Sequence, residues 1–112
     1  MKIAIPIVEG NLSLHFGHCQ EFALVDIDES GKKIVNTEML PAPAHQPGLL
    51  PRWLHEKGAT VIIAGGMGSR AQMLFKENNI EVITGASSEK PEKIIADYLK
   101  GTLVTGGNVC DH

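Results

Sequence analysis

The sequence predicts an α/β fold of three layers, a mixed five-stranded sheet in the order βββαβαβα with helices on its faces. Three observations carry that prediction. The chain opens on a β-branched run, KIAIPIV at 2–8, and two further strand-like segments follow before any helical spacing appears. From residue 49 onward, apolar residues spaced by three and four alternate with short continuous apolar runs, the pattern of βα units. A hydrophobic content of 43% over 112 residues is that of one ordinary domain, able to bury about two-thirds of its unfolded surface without disulfide staples. One domain over 1–112 is therefore expected, with 103–112 as an irregular, glycine-broken tail.

Residues 2–8 read as a strand covered on both faces, although Pro6 conflicts with a central position because proline cannot donate to a ladder. Residues 9–20 read as a loop and 21–28 (EFALVDID) as an alternating second strand. Ser30 and Gly31 supply a hairpin turn before a third strand at 32–39. LLPRWLHEKG places Leu49, Leu50, Trp53 and Leu54 on one helical face and stops at Gly58; Pro51 belongs in a first turn, so this helix is expected to begin late. TVIIAGG is a buried fourth strand. SRAQMLFKENN is a helix with Ser69 as its N-cap and Ala71, Met73, Leu74 and Phe75 inward. Residues 80–84 form the last strand, and EKPEKIIADYLKG a final helix with Ile94, Ile95, Tyr98 and Leu99 inward.

Right-handed crossovers place the fourth strand parallel to the first and beside it. Ligands of open α/β sheets bind outside the carboxyl ends of such strands. The loop after the first strand and the GGMGSR turn after the fourth are thus expected to share one rim.

Bulk chemistry excludes several classes. A net charge of −3, 4% aromatic residues and no basic run argue against a nucleic-acid surface. No apolar stretch has membrane-spanning length, and the first apolar run ends at Glu9 and Asn11, too early for a secretory leader; a cytoplasmic location is expected. Two cysteines cannot build a disulfide framework and read as ligands, reactive thiols or free thiols.

The metal-seeking side chains are clustered. His15, His18 and Cys19 share the loop HFGHC, Cys110, Asp111 and His112 form the segment CDH, and His45 lies in PAPAHQPG. Imidazole and thiolate suit iron, copper, zinc or a metal–sulfur species rather than calcium or magnesium. Spacing in HFGHC is too tight for all three donors to reach one ion, so one or two ligands are expected there, His15 first, with a Cys19 turned into the core as the alternative to a ligand. The plainer alternatives are a loop histidine, a packed thiol and a disordered end. His55, beside Glu56 and Lys57, reads as part of a solvated helix face.

GGMGSRA matches G-x-G-x-x-A, but no ribose-binding acid ends the next strand. What remains is a glycine turn at Gly65, Gly66 and Gly68 feeding a helix N-terminus, an anion seat with Arg70 beside it, or else tight strand–helix packing. Ribonuclease H-like folds share this element order, but their nuclease members clamp two metal ions with strand carboxylates. The first and fourth strands here carry none, and Asp26 with Asp28 does not make such a site.

KIAIP, S-x-HFG at Ser13 to Gly17, EF-x-L-x-D at Glu21 to Asp26, VIIAGGMGSRA and N-x-CDH together resemble the dinitrogenase iron–molybdenum cofactor-binding family over nearly the whole chain. The resemblance implies a ribonuclease H-like fold used as a binding scaffold without catalysis, with His15 as a cofactor contact. The CDH segment is similar to that of short stand-alone members. The expectation is a carrier or chaperone for an iron–sulfur or iron–molybdenum–sulfur cofactor, exchanging it with donor or acceptor proteins. Alternatives are a redox or metal-responsive module acting through a protein partner, and a small zinc hydrolase with Glu9 or Glu21 as base.

Overall fold

A computed structural model describes residues 1–14, 16, 19–28, 30–31, 33–43, 48–103 and 105. Its elements are β1 (Lys2–Val8), β2 (Asn11–Leu12), β3 (Glu21–Ile27), β4 (Ile34–Pro41), α1 (Leu49–Glu56), β5 (Val61–Ile63), α2 (Ser69–Glu77), β6 (Glu81–Ile83) and α3 (Pro91–Lys100). The expected order therefore holds, with one addition. The short β2 turns back on β1 through Glu9 and Gly10, both at positive φ (53° and 85°), as a tight hairpin requires. Two residues carry no periodicity, so β2 was hidden inside the expected loop.

The sheet runs β4-β3-β1-β5-β6, with β2 paired to β1. β1, β3 and β4 form an antiparallel meander, while β1–β5 and β5–β6 are parallel. This topology resolves the conflict at Pro6. β5 pairs only with Ile3 and Ala4, and β2 only with Ile7 and Val8. The Pro6 carbonyl accepts a bond from the Ser13 N–H at 2.8 Å, so its ring nitrogen faces the same side, beyond the end of the β5 ladder. The absent donor falls where no strand asks for one.

Alternation along the strands builds two cores. Ile3, Ile5, Ile7, Ala23, Val25, Ile27, Val61 and Ile63 face Ile94 and Ile95 of α3. Ala4, Phe22, Leu24 and Ile62 face Leu50 and Leu54 of α1 and Phe75 of α2. Each fully buried aliphatic side chain contributes about 1.5–3 kcal/mol, so the sheet's two faces dominate stability.

Pro51 sits inside the first turn of α1, as expected, in a helix that begins at Leu49 after Gly48, and its missing N–H has no intrahelical partner to lose. Two other local expectations were corrected. Ser69 is the first helical residue of α2, and the cap position belongs to Gly68 in an extended conformation. Met73 points outward at 56% exposure, because the inward face of α2 centres on the buried Phe75.

Candidate functional site

β1 and β5 are parallel neighbours, and β2 folds the chain that follows β1 back toward the carboxyl end of β5, so the HFG loop and the glycine turn meet. Contact between them is intimate. A Cβ on Gly65 would lie 2.8 Å from the Leu14 Cα and 3.1 Å from the Ser13 carbonyl oxygen. Only glycine permits that approach. The Phe16 N–H donates to the Gly66 carbonyl at 3.1 Å. Leu14 and Phe16, the sequence neighbours of His15, therefore both touch the glycine turn.

A third loop joins them. The Gly85 N–H donates to the Gly65 carbonyl at 2.7 Å, and the Ala86 N–H to the Ala64 carbonyl at 3.2 Å. Leu12 is held from both sides: its N–H donates to the Glu89 carbonyl at 2.8 Å, and its carbonyl accepts from the Ser88 hydroxyl at 2.9 Å. Sequence reasoning passed over this segment. Its signal was a glycine and three hydroxyl residues, Thr84, Ser87 and Ser88, after the last parallel strand.

Phe16 anchors the arrangement. It is 8% exposed, meets Phe75 edge-on at 5.4 Å between centroids, and lies 6.1 Å from Phe22. Trp53 extends the cluster at 5.8 Å from Phe22. The loop that carries HFG is thus pinned by the same core that α1 and α2 build on the sheet.

Electrostatics at the rim favour an anion. α2 starts at Gly68 with no side-chain cap and no acidic residue in its first turn. A Cβ on Gly68 would meet nothing within 4 Å, so the approach to this helix end is open. Arg70 is exposed in the first turn. The Gln72 side-chain amide donates to the Met67 carbonyl at 2.9 Å and fixes the turn. Backbone N–H groups at a helix start, a guanidinium and no competing carboxylate in that turn suit a polyanionic ligand.

Cys19 has a different character. It packs against the α1/α2-side core, and burial pushes its thiol up to about 11. Such a thiol stays protonated at neutral pH, the condition of a packing residue rather than a reactive nucleophile. His15, His18, His45, Cys110, Asp111 and His112 lie outside the described residues. Among the described residues, no group of three or more histidine, cysteine or acidic side chains could hold a metal ion. No described helix is long and apolar enough to cross a membrane.

Comparison with known proteins gives a consistent picture. Residues 1–101 match the family described as dinitrogenase iron-molybdenum cofactor. An uncharacterized protein of Methanocaldococcus jannaschii, MJ0580, is 33% identical over 108 residues, covering 92% of this chain and 89% of its own length. The crystal structure of PH0822 superposes with a TM-score of 0.86 at 31% identity, covering 94% of each chain. The apo form of the orange protein from Desulfovibrio gigas shares the fold, with a TM-score of 0.71 at 19% identity over 96% of this chain and 93% of that one.

Proposed function

This chain belongs to the dinitrogenase iron–molybdenum cofactor family, a family of non-catalytic cofactor-binding modules, and from that premise we propose that it carries an anionic iron–sulfur or iron–molybdenum–sulfur cluster. The cargo rests on the rim formed by the loops after β1, β5 and β6. The observation that carries this reading is the junction of Leu14 and Phe16 with Gly65 and Gly66 at the uncapped start of α2. It brings the sequence neighbours of His15 against an anion-favouring turn.

In this reading the N-terminal amides of α2 and the Arg70 guanidinium neutralise the cluster's charge, and the His15 imidazole supplies a metal bond. Gly68 leaves the backbone at the start of α2 open to the cargo, while Gly65 and Gly66 hold the HFG loop against that turn. His18, His45, Cys110 and His112 are secondary ligand candidates. Resident clusters ordinarily take four cysteines, and this chain has two, so the shell suits transient holding between a donor and an acceptor protein in the cytoplasm. The raised pKa of Cys19 weighs against a thiol sensor built on that residue.

Anaerobic reconstitution with iron and sulfide, with and without molybdate, followed by metal analysis and absorption spectroscopy, tests the proposal. Wild-type protein is expected to retain metal, and His15→Ala and Arg70→Ala to lose most of it. Both variants should keep their folding stability within about 1 kcal/mol, as rim substitutions do. Failure of wild type to retain any iron or cluster under reducing conditions would remove the carrier function.

A further inference from the structure

The far edge of the sheet carries a surface unrelated to the rim. Of the described helices, α1 and α2 pack on one face of the sheet and α3 alone on the other. A helix with its side chains is about 10–12 Å wide, and five strands at about 4.8 Å spacing span roughly twice that. One helix cannot cover the face.

Among the described residues, the part left open lies at β4. Cross-strand partners share a face, and Met39, Thr37 and Ile34 pair with Ala23, Val25 and Ile27, all in the core beneath α3. Ile34 and Met39 therefore lie on the α3 side of the sheet, yet they are 40% and 43% exposed. Between β4 and α3 runs an open groove of about 630 Å³, bounded by Lys33, Ile34, Ala96, Leu99 and Lys100. It continues past Ile34 to a smaller recess at Thr37, Pro91, Glu92 and Ile95.

Charge is distributed unevenly along it. Lys33 and Lys100 stand at one end and Glu92 at the other. Glu92 and Lys100 are eight positions apart on α3, about 12 Å along its axis. A groove with an apolar floor and opposite charges at its two ends is complementary to itself after a half-turn. The bulge that leaves Val35 without a partner between the Ile27–Ile34 and Asp26–Asn36 pairs disfavours extension of the sheet edge to edge. The contact it allows is face to face.

We infer that a second copy of this chain docks on the β4–α3 groove about a two-fold axis, the Lys33 and Lys100 end of each copy meeting Glu92 of the other. The apolar floor then becomes the centre of the contact and the charges its rim, the usual division of an interface.

Sedimentation of the full chain across a concentration series tests this with three variants. Wild type should form a dimer that weakens as salt rises. Lys33→Glu with Lys100→Glu makes both ends acidic, and Glu92→Lys makes both ends basic. Each should weaken self-association at least tenfold, and mixing the two should restore a heterodimer. Ile34→Lys, on the edge strand where the two parts of the groove join, should abolish association, with circular dichroism confirming that every variant folds. A wild-type protein that stays monomeric to roughly 0.5 mM, a concentration that detects even weak dimers, overturns the inference. So does a dimer indifferent to the charge reversals and to Ile34→Lys.

Discussion

On the α1/α2 side of the sheet the core is aromatic and closed, with Phe75, Phe16, Phe22 and Trp53 linked ring to ring in that order. On the α3 side it is aliphatic and runs out into the open at β4, where Ile34 and Met39 remain substantially exposed. The difference shows how a core can position a loop. Phe16 is at once a core residue and part of the HFG loop, so packing on the aromatic side sets the rim's geometry. The aliphatic side holds the sheet together and, among the described residues, leaves its outer strand exposed.

Removing the aromatic anchor should have the largest effect. Phe16→Ala is expected to cost about 3–5 kcal/mol in chemical denaturation, the range for a buried phenylalanine. Ile34→Ala on the open edge should cost less than about 1 kcal/mol, because a half-exposed side chain loses little burial. Phe16→Leu should keep most of the stability while loosening the loop and lowering metal retention. Equal costs for Phe16→Ala and Ile34→Ala would break the contrast between the two sides.

A second pair of substitutions sharpens it within the rim. Gly65→Ala drives a methyl to 2.8 Å from the Leu14 Cα, an unyielding backbone atom, so the loops after β2 and β5 must separate. About 1–3 kcal/mol of destabilisation is expected from such overpacking. Gly68→Ala meets nothing and has an ordinary backbone conformation, so only cap propensity changes, within about 1 kcal/mol. Thermal unfolding of the two proteins, measured side by side, would show whether close approach or glycine flexibility matters at this turn.

The smallest effect concerns Cys19. Its folded-state pKa is about 11 against an ordinary 9.0, because burial penalises the thiolate. Folded protein holds the proton more tightly than unfolded chain, so the linked stability is fully present below pH 9.0 and is lost as pH rises toward about 11. The stability difference between wild type and Cys19→Val should be flat from neutral pH to 9.0 and shift against wild type above it. Alkylation of Cys19 in the native state should likewise be slow at pH 8 and accelerate toward pH 11. Rapid modification at neutral pH would mean that the aromatic side is less closed than its packing implies.

Much of the architecture was legible in advance. The β-branched run of β1, the alternation in β3 and the spacing of Ile94, Ile95 and Tyr98 in α3 are local patterns, and each produced the element it predicted. The parallel pairing of β1 with β5 followed from crossover handedness. Of the candidate ligands, Cys19 alone is among the described residues, and its packed environment is the plainer of its two sequence readings. Neither β2 nor the hydroxyl-bearing loop after β6 carried enough local signal to be named.

What the chain determined by itself was therefore the order and type of its elements and the placement of its glycines and soft ligands, because side-chain periodicity and backbone freedom belong to individual residues. What only the tertiary structure decided was which of those features meet. Pro6 is tolerated because β5 stops pairing at Ala4, Gly65 is required because Leu14 crosses above it, and, among the described residues, β4 is left exposed because one helix is narrower than the face it packs on. Each depends on where a neighbouring element ends, a property of the assembled sheet that no local spacing encodes.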